Sequence, residues 1–227
     1  MNAKEPGILK GLTSAIPIAL GYLPIAFSFG VAATRAGLNE AEAVMLSVVI
    51  YAGAAQFLAL ALVTSGAPLL ISALTLIAMN VRHVLYGPAL LRAAGARELR
   101  TVWGWGFGLT DEVFGAALGH LARGGVFSER FMWGLGAGAY GSWVVGTAIG
   151  AVAGGAALDG WPVLDAALGF MLPALFLALL VSILSRAQVP VIVVAILVTV
   201  VVTLAFTSTA GILAGMVAGA VTGLVRR

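Results

Sequence analysis

Cysteine is absent from all 227 residues, which excludes disulfides, thiolate nucleophiles and Cys-ligated metals. Charge is scarce too. Lys, Arg, Asp and Glu together make up 9% of the chain, where a soluble domain carries about a quarter. Only two histidines occur, and no His, Asp or Glu spacing makes a metal-ligand set. A Walker-type phosphate loop is missing, so nothing supports direct use of ATP by this chain. There is also no cleavable signal. The first apolar segment is too long for an h-region and no small-residue cleavage site follows it.

What is present is mostly hydrocarbon. Apolar residues reach 61% and the mean hydropathy is +1.09. Long uncharged runs mark spanning helices, so the expected class is an all-α polytopic membrane protein with about seven or eight transmembrane segments. These form one transmembrane domain over residues 1–227, with 1–122 and 123–227 as candidate halves. The net charge of +3 does not point to nucleic acid, because the basic residues fall in short loops and at the termini, as membrane topology requires.

The segments are expected near residues 8–33, 43–63, 69–91, 101–122, 131–154, 163–184, 189–206 and 210–225. Pro17, Gly21 and Pro24 lie inside the first. A proline removes a backbone donor, so Ile16–Pro24 reads either as a kink or as an unwound stretch offering backbone groups to a ligand. Asn39 is placed to cap the second segment. Trp103 and Trp105 read as an interfacial belt, and His120 as interfacial. The glycines of segment five (Gly134, Gly136, Gly138, Gly141, Gly146, Gly150) read as tight helix contact.

Three stretches carry polar groups that a lipid-embedded helix should not have. Tyr51-Ala-Gly-Ala-Ala-Gln-Phe57 holds Gly53 and Gln56, whose amide needs partners in a dry interior. Asn80-Val-Arg-His-Val-Leu-Tyr86 holds Asn80, Arg82, His83 and Tyr86. An Arg at mid-span costs about 2.5–3.5 kcal/mol on insertion scales, so it either snorkels to the interface or joins a buried polar cluster. Gly108-Leu-Thr-Asp-Glu-Val-Phe114 sets two carboxylates side by side. Asp111 and Glu112 point about 100° apart on a helix, so one is free to pair with Arg82 while the other protonates. A purely structural Asp–Arg or Glu–Arg bridge is the competing reading.

Phe57-Leu-Ala-Leu-Ala-Leu-Val63 recurs as Phe176-Leu-Ala-Leu-Leu-Val181, a hint of a two-half internal repeat. A count of Lys and Arg favours a cytoplasmic N-terminus, yet eight full spans would then put the basic 92–100 loop outside. The orientation therefore stays open at the level of sequence.

Gly21-Tyr-Leu-Pro-Ile-Ala-Phe-Ser-Phe-Gly30, Tyr51–Phe57, Asn80–Tyr86 and Leu109-Thr-Asp-Glu-Val113 follow one another in an order that resembles the AzlC family, the large subunits of bacterial branched-chain amino acid exporters. The resemblance covers essentially the whole chain. It implies export of valine, leucine, isoleucine and methionine across the cytoplasmic (inner) membrane, with a separately encoded small hydrophobic AzlD-type subunit. Beside it, the residues themselves suggest roles. Gly21, Tyr22, Pro24, Gly53, Gln56 and Asn80 are the expected solute-binding groups. Arg82, His83, Tyr86, Asp111 and Glu112 are the expected proton-coupling cluster, with His83 a second relay candidate. No catalytic residue, metal or cofactor is called for. A non-transporting assembly subunit, or an intramembrane enzyme using Asp111 and His83, are the alternatives.

Overall fold

The computed structural model describes residues 5–95, 101–154 and 188–225, with isolated positions between 160 and 186. All secondary structure among the described residues is helical, and the chain is a multi-pass membrane protein in class. It divides into two compact units, Met1–Leu172 and Pro173–Arg227. In the first, α1 (Ile8–Ser14), α2 (Ile16–Arg35), α3 (Glu40–Ile50), α4 (Gly53–Thr64), α5 (Leu69–Asn80), α6 (His83–Ala94), α7 (Val102–Phe107), α8 (Asp111–Ala122) and α9 (Glu129–Ala153) follow in order. The second contains α10 (Val189–Ala205) and α11 (Ser208–Val225). The expected segment at 163–184, the second copy of the sequence repeat and the 96–100 part of the basic loop lie largely or wholly outside the described residues.

Among the described residues, three helical stretches are long and apolar enough to cross a bilayer: Ile16–Arg35, the 26 residues of Leu69–Ala94, and Glu129–Ala153. α9 is the post of the first unit, and α1, α2 and α3 pack along it. Its glycines explain how. A side-chain carbon on Gly150 would lie 2.0 Å from the Phe27 carbonyl oxygen, and one on Gly30 would lie 2.2 Å from that of Thr147. Backbones meet directly there, which only small residues permit. Gly134 and Gly11 do the same at the α1 end. The tight contact expected of segment five is therefore found.

The unwound alternative for Ile16–Pro24 is not. α2 runs unbroken from Ile16 to Arg35 with Pro24 inside it. Pro17 lies in the first turn of α2, where its missing N–H leaves no bond unmade. The turn before α2 falls at Ala15 instead, and even there the Ala19 amide reaches the Ala15 carbonyl at 2.8 Å.

The real interruptions come later. Asn39 and Glu42 form a reciprocal capping box, each side chain accepting from the other's backbone N–H at 2.9 and 2.8 Å, and so start α3. α3 then stops at Tyr51, whose φ of 34° is left-handed, and the extended Ala52 precedes α4. α5 passes to α6 through Val81 and Arg82, where bonds tighten to Val84–Val81 and Leu85–Arg82. α7 ends before Gly108, and Thr110 caps α8 by accepting from the Val113 amide at 3.4 Å.

The second unit repeats the device of the first. Gly211 and Gly215 on α11 face Thr203 and Thr199 on α10 so closely that a side-chain carbon would overlap their hydroxyls.

Candidate functional site

α8 begins with two acids because the positive end of a helix stabilises carboxylates, by about 0.3–1 kcal/mol each at an exposed terminus. They diverge from that common start. Glu112 turns toward α2, and the Tyr22 hydroxyl donates to Glu112 Oε2 at 2.5 Å. The same hydroxyl lies 2.7 Å from Thr110 Oγ1. Tyr22 is 7% exposed, so the carboxylate is tied to a buried phenol and through it to its own helix cap.

Tyr51 completes this group from the α3–α4 break. It is 5% exposed, and its hydroxyl makes no hydrogen bond of ordinary geometry, although Glu112, Thr110 and Tyr22 surround it. A bulky residue with positive φ is a backbone outlier of about 1–3 kcal/mol. A buried polar group without a partner costs about 1–3 kcal/mol more. Packing holds it there. The Tyr51 ring meets Tyr140 edge-on at 4.9 Å and Phe107 at 6.1 Å. Tyr140 in turn donates at 3.0 Å to the Val48 carbonyl, the acceptor that Ala52 would use in a continuous helix. Phe107 and Tyr140 also wall an apolar cavity of about 320 Å³ with Trp105, Met132, Trp133 and Ala137.

Behind Tyr22 lies a polar strut. Trp143 presents its ring to Tyr22 at 5.1 Å and donates from Nε1 to Gln56 Oε1 at 2.7 Å. Gln56 Nε2 donates to Ser47 Oγ at 2.8 Å, and Ser47 lies 2.7 Å from Thr147 Oγ1. Gln56, Ser47 and Thr147 are wholly buried, so the protein itself satisfies the Gln56 amide. Gly53 makes room for the same indole, since a side-chain carbon there would sit 2.6 Å from Trp143 Cη2.

Asp111 turns the other way. Arg82 Nη2 pairs with Asp111 Oδ2 at 2.8 Å, the side chains 51% and 34% exposed. The Tyr86 hydroxyl donates to Asp111 Oδ1, its ring stacked on Phe114 at 4.6 Å. His83 meets the Tyr86 ring edge-on at 5.3 Å. Arg82 thus bridges the α5–α6 and α7–α8 interruptions.

The residues singled out from sequence therefore divide. Tyr22, Glu112, Asp111, Arg82 and Tyr86 come together, with His83 beside them. Gly53 and Gln56 serve the strut behind. Gly21 and Pro24 lie on the exposed face of α2, away from the group. Asn80 donates from Nδ2 to the Leu76 carbonyl of its own helix at 2.8 Å. Trp105, expected in an interfacial belt, is 2% exposed and donates to Glu129 Oε1 at 3.0 Å, whereas Trp103 is 94% exposed. Tyr51, Thr110, Tyr140 and Trp143 were not among the expected site residues. Thr110 carries a legible sign, a Thr directly before two acids; Trp143, alone in a Gly/Ala stretch, carries none.

Residues 17–157 match the family model described as AzlC protein. Inner membrane protein YgaZ of Escherichia coli (strain K12) is 47% identical over 182 residues, covering 79% of this chain and 74% of that protein. An uncharacterized membrane protein of Archaeoglobus fulgidus is 39% identical over 188 residues, covering 82% and 80%. One of Helicobacter pylori (strain 26695) is 29% identical over 153 residues, covering 64% and 65%. No solved structure matches.

Proposed function

The chain belongs to the AzlC family of membrane proteins, and from that premise we propose that it is the large subunit of a secondary transporter. Its cargo is a branched-chain amino acid (valine, leucine or isoleucine, with methionine), moved outward across the bacterial cytoplasmic membrane in exchange for protons. A small hydrophobic AzlD-type subunit works with it.

The observation that carries this reading is the half-buried Glu112, bonded to the buried Tyr22 where interrupted helices meet. Ionisable groups inside membrane spans are expensive and mark solute or proton paths, and interrupted helices are where transporters bind their cargo. The chemistry suits a zwitterion with an aliphatic arm. A carboxylate and phenols meet its charged end, and the apolar cavity beside Phe107 and Tyr140 gives the arm a wall.

The test is valine efflux from loaded proteoliposomes under an inward proton gradient, with and without the AzlD-type subunit. Glu112→Gln should reduce gradient-driven efflux by about a hundredfold, about 2.7 kcal/mol. Full efflux in both Glu112→Gln and Asp111→Asn would remove the carboxylates from the mechanism. Absence of efflux in every preparation, with the small subunit still co-purifying, would favour a non-transporting assembly subunit.

A further inference from the structure

Asp111 and Glu112 are neighbours in sequence and opposites in company. Asp111 is answered by a cation, the Arg82 guanidinium at 2.8 Å. Glu112 is answered by a neutral hydroxyl, with Tyr22 at 2.5 Å. Among the described residues no Lys, Arg or His forms an ion pair with Glu112. Tyr22 from α2 bonds to it, and the other titratable groups close enough to feel its charge are Tyr51 from the α3–α4 break and His83 and Tyr86 from α6. Asp111 adjoins it on α8, already paired with Arg82. Tyr51 adds an independent pointer. Its hydroxyl is 95% buried with its residue, lacks an ordinary hydrogen bond and lies against Glu112 and Thr110.

A half-buried carboxylate held by a neutral phenol and no paired cation leaves room for a proton or for a cation brought from outside. Phenol rings favour such a cation further, because their faces attract ammonium. The Tyr51 oxygen, without a hydrogen bond of ordinary geometry, suits one N–H of an ammonium and the Glu112 carboxylate a second. We propose that Glu112, with Tyr22 and Tyr51, is a primary-ammonium site at which the solute's –NH3+ and a proton exclude one another, while Asp111 stays neutralised by Arg82. The inference rests on the transport reading above and assigns its exchange step to one atom group. The step balances: protonated Glu112 and a free R–NH3+ give the Glu112 carboxylate paired with R–NH3+, plus one proton released to water. Proton and amine then compete for one site, so each ammonium bound in place of a proton sends one proton to water.

The experiment measures binding and proton release together, using a pH indicator in weak buffer on the purified protein, alone and with the AzlD-type subunit. The titration spans about pH 4 to pH 9, to bracket carboxylate and histidine ranges. Three probes separate the two ends of the solute. They are leucine, 3-methylbutylamine (no carboxylate) and 4-methylpentanoate (no amine). Leucine and the amine should each release up to one proton per molecule bound, and 4-methylpentanoate none. Glu112→Gln should abolish the release. The probe comparison on the unaltered protein stands even where that variant fails to fold. Leucine binding without proton release, or release by the acid and not the amine, would overturn the ammonium site and leave transport standing. Release that persists in Glu112→Gln would move the proton to His83 or another group and overturn it equally. Failure of leucine to bind in either preparation would overturn the transport reading itself.

Discussion

The seam between α2 and α9 and the arm formed by α5 and α6 are built on opposite principles. Along the seam, Gly30 and Gly150 let backbone touch backbone, and side chains have little choice to make. Along the arm, the apolar residues Leu69, Leu74, Ile77, Val84 and Leu85 are more than half exposed, and polar contacts join the ring stack of Tyr86 on Phe114 in holding it inward. Arg82 and Tyr86 reach Asp111. The lesson concerns where adjustment can occur. Direct backbone packing has one geometry, whereas a segment held by an ion pair and a phenol can shift at modest cost.

Substitutions can break or sharpen that contrast. The largest effect should come from Gly150→Leu, which drives a side chain into the Phe27 carbonyl. The expected loss is about 3 kcal/mol, the upper end of overpacking costs, read as a fall in melting temperature or as failure to recover folded protein. Next comes Gln56→Leu, which strands the Trp143 N–H and leaves Ser47 only its Thr147 partner. A buried orphan group costs about 1–3 kcal/mol, and the melting temperature should drop accordingly even where cargo preference is kept. Tyr22→Phe removes a charge-assisted bond to Glu112 of about 1.5–3 kcal/mol. It should weaken efflux about tenfold and shift its pH profile, separating the site from the strut. On the arm, Arg82→Gln with Asp111→Asn should move the melting temperature by an amount equivalent to about 1 kcal/mol or less, because the pair is half exposed. A double variant that melts as low as Gly150→Leu would erase the distinction between seam and arm.

Local features were the legible ones. Asn39 and Glu42 cap α3 using atoms only a turn apart, and the glycines of α9 announce close packing by type alone. A pairing of Arg82 with one of the two acids was readable because opposite charges in an apolar chain have few other partners, but that the acid is Asp111 was not. What could not be read depends on distant neighbours. Pro24 leaves α2 unbroken because a lost bond in a membrane helix can be made good by its surroundings. Tyr51 takes the left-handed turn although Gly53 stands two residues on, and only Tyr140, Phe107 and the Glu112 group show why. Trp105 is inside because Glu129, 24 residues away, accepts its N–H at 3.0 Å. Trp143 matters through Tyr22 and Gln56, both far off in sequence.

Trp143 has one further consequence. Its ring lies over Gly53 and against Tyr22, and its nitrogen is fixed to Gln56, so one chromophore touches both α2 and α4. Any rearrangement that parts those helices alters the polarity around a single indole. The chain therefore carries its own optical gauge of opening, and the emission of Trp143, isolated by replacing the other four tryptophans with phenylalanine, would follow the cycle without an added label.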